Sequence, residues 1–547
     1  FIIKDRLKLK IMNKSSNESN LIETGSMFRS TGVVGLMTFL SRIMGLVRDI
    51  FFARLFGAFP LMDAFFVAFK IPNSFRRFFA EGAFSRAFIP VLSDYENNRE
   101  EGEIQNFIDR TSGTLGLILF CVCIVGVIFA PILILIFAPG FFDDQNDQID
   151  RYNLSVSMLR FTFPYLLFIS LTAFAGAILN TKKHFWATAF NPVILNVVLI
   201  IAAGFIAPKS SNPGLVLAFA VFFAGFLQLL FLFPFLRQVR RMPKPKWGWQ
   251  DLGVKRVIKL MIPSIIGSSA SQFNLLFNTL IASFLTAGSI SWIYYSDRLL
   301  EFPLGVFAVA LSTVVLPSLS RKNAAKNISQ FKSIVEWGIK LVFLFSIPAT
   351  IGLFFLSGPL IATIFLGGNF NNYDLLMTQY SLMAYSFGLV GLSLVLILSP
   401  VFYSREDTKT PLKYGLITMA TNAFLSLVFV LTLINLGVSF PHIGLAFAFS
   451  IASILNALLL FRRLKLEKLV VLDRMLIIFI SRIIMASFAM TLFLINFNPD
   501  LQIWLAANIF DKFTSLLFLI SVAVIIYVLI LFLLGLRMKD IRIQTGQ

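Results

Sequence analysis

Cysteine and histidine are nearly absent from this 547-residue chain, which contains two of each. Cys121 and Cys123 stand two apart in an apolar run, where a helix points them about 200° from each other, and His184 and His442 lie in different connections. A disulfide, a metal site and histidine-based catalysis therefore find no support. Charge is also scarce, at 14% of residues, and it is one-sided: 47 Lys and Arg against 28 Asp and Glu, a net +19. No nucleophile–base pair, phosphate-cradling glycine loop or metal-ligand spacing occurs, so the chain does not read as an enzyme and calls for no cofactor. What is present is hydrocarbon. Hydrophobic residues make up 57% and phenylalanine alone numbers 63, which places the chain outside the soluble globular class. The expected fold is an all-α polytopic membrane protein, and its basic excess belongs at membrane faces rather than on nucleic acid.

Runs of about 20 apolar residues, enough to cross roughly 30 Å of hydrocarbon, fall at 30–53, 61–92, 107–138, 153–180, 187–207, 214–237, 255–285, 290–320, 334–366, 375–403, 412–436, 441–463, 475–496 and 513–536. About fourteen transmembrane helices are expected. Lys and Arg crowd every second connection, as in Arg237, Arg240, Arg241, Lys244 and Lys246, while 139–150, 286–290, 367–374 and 435–442 contain neither. That alternation predicts both termini in the cytoplasm. AFIPVLS from Ala87 matches VVLPSLS from Val314, so spans one to six and seven to twelve read as parallel repeats. The expected organisation is a disordered cytoplasmic tail at 1–29, with Met12 or Met27 as alternative starts, an N-terminal half at 30–240 and a cytoplasmic linker at 241–254. A C-terminal half at 255–463, two added helices at 464–536 and a short tail at 537–547 complete it.

The stretch from Ser41 to Tyr95 is apolar enough to enter a bilayer yet carries Arg42, Arg48, Asp49, Arg54, Asp63, Lys70, Arg76, Arg77, Glu81 and Arg86. A single such charge at a helix centre costs roughly 2.5–3.5 kcal/mol. These side chains must therefore face something polar, and the rest of the chain reads as the wall of a cavity they line. Asp63, Lys70 and Arg77 recur every seven residues and share a helical face, which Pro72 is expected to kink. Arg42 and Asp49 are likewise seven apart, and in the second half Asp297, Arg298 and Glu301 follow two tyrosines. Arginine outnumbers carboxylate here, which suits a multiply charged phosphate gripped by guanidinium forks.

At these residues the sequence resembles the MurJ (MviN) family, the lipid II flippases of the multidrug/oligosaccharidyl-lipid/polysaccharide (MOP) exporter superfamily. The resemblance is carried by SRIMGLVRD, DAFFVAFKIPNSFRRFFAEGAFSRAFIPVL, FPYLLFISL, GAILN, YYSDRLLEFPLGV, LPSLS and FYSREDTKTP, and it extends over everything after Met27. It implies two six-helix, MATE-like halves about a central arginine-rich cavity that binds the headgroup of lipid II, an undecaprenyl-pyrophosphate-linked disaccharide-peptide. It further implies two C-terminal helices forming a groove for the polyprenyl tail, alternating access, and residence in the bacterial inner membrane among membrane lipids, with cell-wall synthesis proteins as further partners. Functional arginines carry over to Arg42, Arg48, Arg76 and Arg298, and cavity positions to Asp49, Asp63, Asn73, Glu81, Asp297 and Glu301. A sodium site of some relatives uses an acidic residue in the seventh span, and Lys259 to Ser296 has none.

Plainer readings compete. Arg54 and Arg86 are expected to snorkel to headgroups from span ends, and Asn191, Asn196, Gln272, Asn274 and Asn278 to join helices by hydrogen bonds. The alternative functions are another MOP-superfamily exporter (a lipid-linked oligosaccharide flippase or a drug antiporter) and a scaffold that organises cell-wall enzymes. A cation antiporter would have an acidic cavity, and a scaffold would not require buried charge.

Overall fold

The computed structural model describes residues 34–76, 83–142, 150–470, 474–537 and 540. Among these there is no β-strand, only a single bridge between Gly367 and Phe370. In chain order the helices are α1 (34–56), α2 (Pro60–Arg76), α3 (Ala83–Asn98), α4 (Glu101–Ile128), α5 (Ala130–Phe137), α6 (Arg151–Thr162), α7 (Tyr165–Thr181), α8 (Phe185–Ile201) and α9 (Pro213–Gln238). There follow α10 (Leu252–Ser283), α11 (Ser289–Pro303), α12 (Ala310–Ala324), α13 (Ile328–Phe355), α14 (Ser357–Ile364), α15 (Asn372–Ser386) and α16 (Leu389–Tyr403). The chain ends with α17 (Lys409–Asn435), α18 (Ile443–Leu466), α19 (Arg474–Phe497), the short α20 (Leu501–Ala506) and α21 (Ile509–Leu533).

Among the described residues ten helical stretches are long and apolar enough to cross a membrane, and the pair α15–α16, bent by 44°, is an eleventh if it counts as one span. The other three expected spans fall on α1, which is rich in charge, on α2 and α3, which are each short, and on α10, whose apolar run is diluted by Ser, Asn and Gln. The described residues are thus consistent with the expected spans. Pro72, where a kink is expected, lies inside α2, which runs through it to Arg76.

By Cα proximity the chain forms two compact units. One comprises Phe1–Asp49, Pro72–Phe129 and Met158–Ile265; the other comprises Ile50–Ile71, Ala130–Ser157 and Ile266–Gln547. Between helices in hydrocarbon, apolar contact supplies little driving force, so close packing and interhelical hydrogen bonds carry more of the association.

In the first unit α7 packs on α3, α4, α8 and α9. Phe88 stacks on Phe107 and lies 5.0 Å from Phe174 between centroids. Asn191 of α8 and Gln228 of α9 exchange side-chain donors for each other's backbone carbonyls at 2.9 and 3.1 Å. The linker is fastened along α4. Lys244 N donates to the Asp109 carboxylate at 2.9 Å, Lys246 N to the Asp109 carbonyl at 3.0 Å, and Gly248 N to Thr114 Oγ1 at 3.0 Å. Arg241 pairs with Glu101 at 2.6 Å and Arg110 with Asp251 at 2.9 Å. Nearby, Asp94 accepts from Arg256 at 2.6 Å, and that hydrogen bond, with a second from Asn98, holds its carboxyl below the usual range.

In the second unit Val315, Leu319, Val335, Ile339, Ile397 and Phe402 make a fully buried core among α12, α13 and α16. Asn422 of α17 donates to Asn274 and Asn278 of α10 at 2.8 and 3.0 Å, and the Tyr527 hydroxyl of α21 donates to the Leu344 carbonyl of α13 at 2.7 Å. Between α11 and α12 the chain does not stop but widens into a π-helix over Leu304–Val309. Pro303 has no N–H to continue the ordinary ladder, and the wider turn begins directly after it. The outward faces of α19 and α21 remain apolar and exposed, as at Phe488 and Phe518, both 61%.

Candidate functional site

The residues expected to line a cavity divide between the two units, and Glu81 lies outside the described residues, as does Arg77. In the first unit α1 carries Arg42, which is exposed, and one and a half turns later the pair Arg48 and Asp49, which is buried. Adjacent residues on a helix point about 100° apart, yet the long guanidinium folds back. Arg48 Nε and Nη2 both donate to Asp49 Oδ1, at 2.9 and 2.7 Å. Nη1 donates to Asn196 Oδ1 on α8 at 3.0 Å, and Asn196 in turn donates to the Ser41 carbonyl at 3.2 Å. Asn196 is thus more than the expected link between helices, because it fixes the direction of a charged fork. On α2, Arg76 Nε donates to Asn73 Oδ1 at 2.9 Å, one turn away, and both side chains are half-buried.

The second unit holds Asp63, Lys70, Asp297, Arg298 and Glu301. Asp63 is completely buried and engaged at the start of α11. Its Oδ2 accepts from Gly288 N at 2.7 Å, and its Oδ1 accepts from Ser291 N and Ser291 Oγ at 2.8 and 2.6 Å. Carboxylates are favoured at such helix starts, where unpaired N–H groups and the helix dipole converge. The entry to that helix is tight. Gly288 has φ +96°, and a Cβ on it would meet the Ala58 carbonyl at 2.6 Å, so the left-handed, crowded position requires glycine. Arg151, buried and lying over the Phe141 ring, approaches Asp63 at 3.9 Å.

Lys70, on the same face of α2, donates to Thr279 Oγ1 at 3.4 Å. Arg298 pairs with Glu301 at 2.6 Å and lies over the Tyr294 ring at 4.8 Å. Tyr294 is itself stacked on Phe66 at 3.9 Å between centroids. A guanidinium spread on an aromatic face keeps its planar fork oriented, and Arg298 remains 35% exposed. Asp297 beside it is half-buried. Among the described residues no three His, Cys, Asp or Glu side chains converge. The arrangement offers oriented guanidinium groups in apolar helices, which is recognition chemistry for anions and not bond-breaking chemistry.

Sequence reasoning found the arginines but not what aims them. Asn196 and Tyr294 contact them from another helix or turn, with Phe66 stacked behind Tyr294, and the only signal was a polar amide and two aromatics in otherwise ordinary apolar runs. Arg54 departs from the snorkelling expectation: its Nη2 donates to the Thr363 and Ile364 carbonyls at the end of α14, both at 3.3 Å.

The family model described as "Lipid II flippase MurJ" matches residues 52–510. A probable lipid II flippase MurJ of Vibrio cholerae serotype O1 is 42% identical over 522 residues, 95% of this chain and 98% of that protein. Its counterpart in Haemophilus influenzae is also 42% identical, over 92% of this chain and 98% of that one. A solved structure described as "Lipid II flippase MurJ, inward closed conformation" superposes with a TM-score of 0.74 at 28% identity, covering 91% of this chain and 97% of that chain. An inward-facing multidrug resistance MATE family transporter of the MOP superfamily shares the fold at 12% identity, with a TM-score of 0.63 over 80% of this chain and 98% of that one. With a family model matched along most of its length and relatives this similar from end to end, the chain belongs to the MurJ family of lipid II flippases.

Proposed function

We propose that this transporter moves lipid II from the inner to the outer leaflet of the bacterial cytoplasmic membrane by alternating access, and that Arg42, Arg48, Arg76 and Arg298 recognise the pyrophosphate of the headgroup. Family membership supports the substrate. The observation that supports the chemistry is Arg298, laid on Tyr294 and still partly exposed, together with Arg48 aimed by Asn196. A dianionic headgroup cannot enter hydrocarbon without losing its hydration, and guanidinium groups replace that hydration with bidentate hydrogen bonds. Asp49 and Glu301, each paired to an arginine, compete with the phosphate and so favour its release. Asp297 and Asn73 stand beside these arginines in supporting positions, and Asp63 acts by holding α11 in place. The two helices α19 and α21 offer their exposed apolar faces to the polyprenyl tail, and both termini face the cytoplasm.

The test replaces each of the four arginines by Ala and by Lys in expression-matched cells depleted of the native protein, and measures which leaflet accumulates lipid II. The Ala variants should leave lipid II in the inner leaflet. Lys, which keeps charge but not the fork, should restore transport only in part. Outer-leaflet lipid II at the wild-type level in all four Ala variants would remove the recognition role. A drug or cation antiporter is the second reading, and it has only the shared MATE fold behind it; it requires that depletion leave lipid II distribution unchanged.

A further inference from the structure

A second group of cations lies in the second unit, apart from the arginines above. Arg54, near the end of α1, uses Nη2 on the last carbonyls of α14, where the negative end of a helix dipole welcomes a cation. Its Nε is nevertheless buried without a hydrogen-bond partner. The helix α21 packs against α14 and brings Lys512 in its first turn, only 8% exposed. Three features of Lys512 are unfavourable together. It is buried, it stands at the positive end of its own helix, and the charge of Arg54 lies near it. Asp511, its neighbour, is exposed and occupied with Asn508 in the helix cap. Among the described residues no hydrogen bond or ion pair involves the Lys512 ammonium. The connections at this end of the helices include 367–374, which has no Lys or Arg at all, so a cation pair here goes against the local habit of the chain.

A bound anion relieves all three penalties at once, and it supplies the acceptor that Arg54 Nε lacks. We propose that Arg54, Lys512 and the first turn of α21 form a binding site for a phosphate carried on a lipid, whose chains lie along the exposed apolar face of α21. The phosphate belongs either to an anionic phospholipid or to an isoprenoid pyrophosphate, and the two are separable by experiment. The site is distinct from the arginines of the proposed headgroup site and does not depend on that assignment.

The test uses the full chain in detergent and native mass spectrometry to compare retention of dioctanoyl phosphatidylglycerol with that of dioctanoylglycerol, and of geranylgeranyl pyrophosphate with that of geranylgeraniol. The wild type should retain at least one phosphate-bearing partner about tenfold more strongly than its neutral counterpart. Lys512→Gln should lose most of that preference; because Lys512 makes no internal hydrogen bond, this variant should fold. In an Arg42→Ala background, where the proposed headgroup site is weakened, Lys512→Gln should still lower retention of the charged partner, which separates this site from the headgroup arginines. Loss for both ligands in Lys512→Gln identifies a general site for lipid phosphate, loss for phosphatidylglycerol alone a structural lipid, and loss for the pyrophosphate alone a station for the substrate. Equal retention of charged and neutral partners by the wild type, or an unchanged preference in Lys512→Gln, overturns the proposal.

Discussion

Asp63 offers the sharpest separation between holding the fold and meeting a ligand. Its carboxylate receives three donors, Gly288 N, Ser291 N and Ser291 Oγ, and it is completely buried. Asp63→Ala orphans all three. Each unsatisfied buried donor costs about 1–3 kcal/mol, so the loss is roughly 3–9 kcal/mol if no water enters, comparable to the 5–15 kcal/mol that stabilises a typical domain. Buried Arg151 would also lose the carboxylate 3.9 Å away. Asp63→Asn can keep its oxygen toward Ser291 but turns an NH2 group on Gly288 N–H, which orphans one donor and costs about 1–3 kcal/mol. Ser291→Ala removes one hydrogen bond to a charged acceptor, worth about 1.5–3 kcal/mol. The expected order of thermal stability in detergent is therefore wild type, then Ser291→Ala and Asp63→Asn together, then Asp63→Ala far below or absent from membranes. In a double-mutant cycle Asp63 and Ser291 should show clear coupling. An Asp63→Ala protein that melts with the wild type and fails only in transport would refute the capping role and return Asp63 to the ligand.

Other outcomes follow from the same contacts. Asn196→Leu should leave the fold intact but free the Arg48 fork, reducing transport severalfold while Arg48→Ala in the same background adds little further loss; independent losses in the two variants would contradict the pairing. Asp109→Ala should release the linker from α4, read as tryptic cleavage after Arg241 or Lys246 that the wild type resists. Asp94 is held below the ordinary carboxylate pKa by Arg256, so its contribution is complete above that ordinary value and fades as pH falls through the lowered one. Hydrogen exchange near 94–99, corrected for intrinsic rates, should be flat from neutral pH down to about pH 5 and should rise only in stronger acid.

The spans were legible because a hydrocarbon crossing is a one-dimensional demand, readable from consecutive residues alone. The arginines were legible for the converse reason, since a charge in such a run needs a partner. The identity of that partner was not legible. Asp63 meets Gly288 and Ser291, Arg54 meets Thr363 and Ile364, and Lys244 and Lys246 meet Asp109 across separations that no local pattern encodes. The pairing of Arg48 with its immediate neighbour Asp49 was hidden differently. Helical projection sends the two apart, and only the reach of the guanidinium overrides it. Heptad reasoning placed Asp63 and Lys70 on one face, as they are, but could not tell that one would be sealed at a helix start and the other left half-buried.

The π-helical stretch Leu304–Val309 sets an angular phase between two parts of one long rod. Upstream lies Arg298 with its aromatic support; downstream Val315 and Leu319 are locked in the core. A π-turn accommodates one more residue than an α-turn, and one residue corresponds to about 100° of rotation. The direction in which Arg298 faces is therefore written partly in the surplus residue of a segment that carries no charge. Deleting one residue there would let the rod close into uninterrupted α-helix with every arginine still present, and would swing Arg298 about a quarter-turn away from the face it now serves.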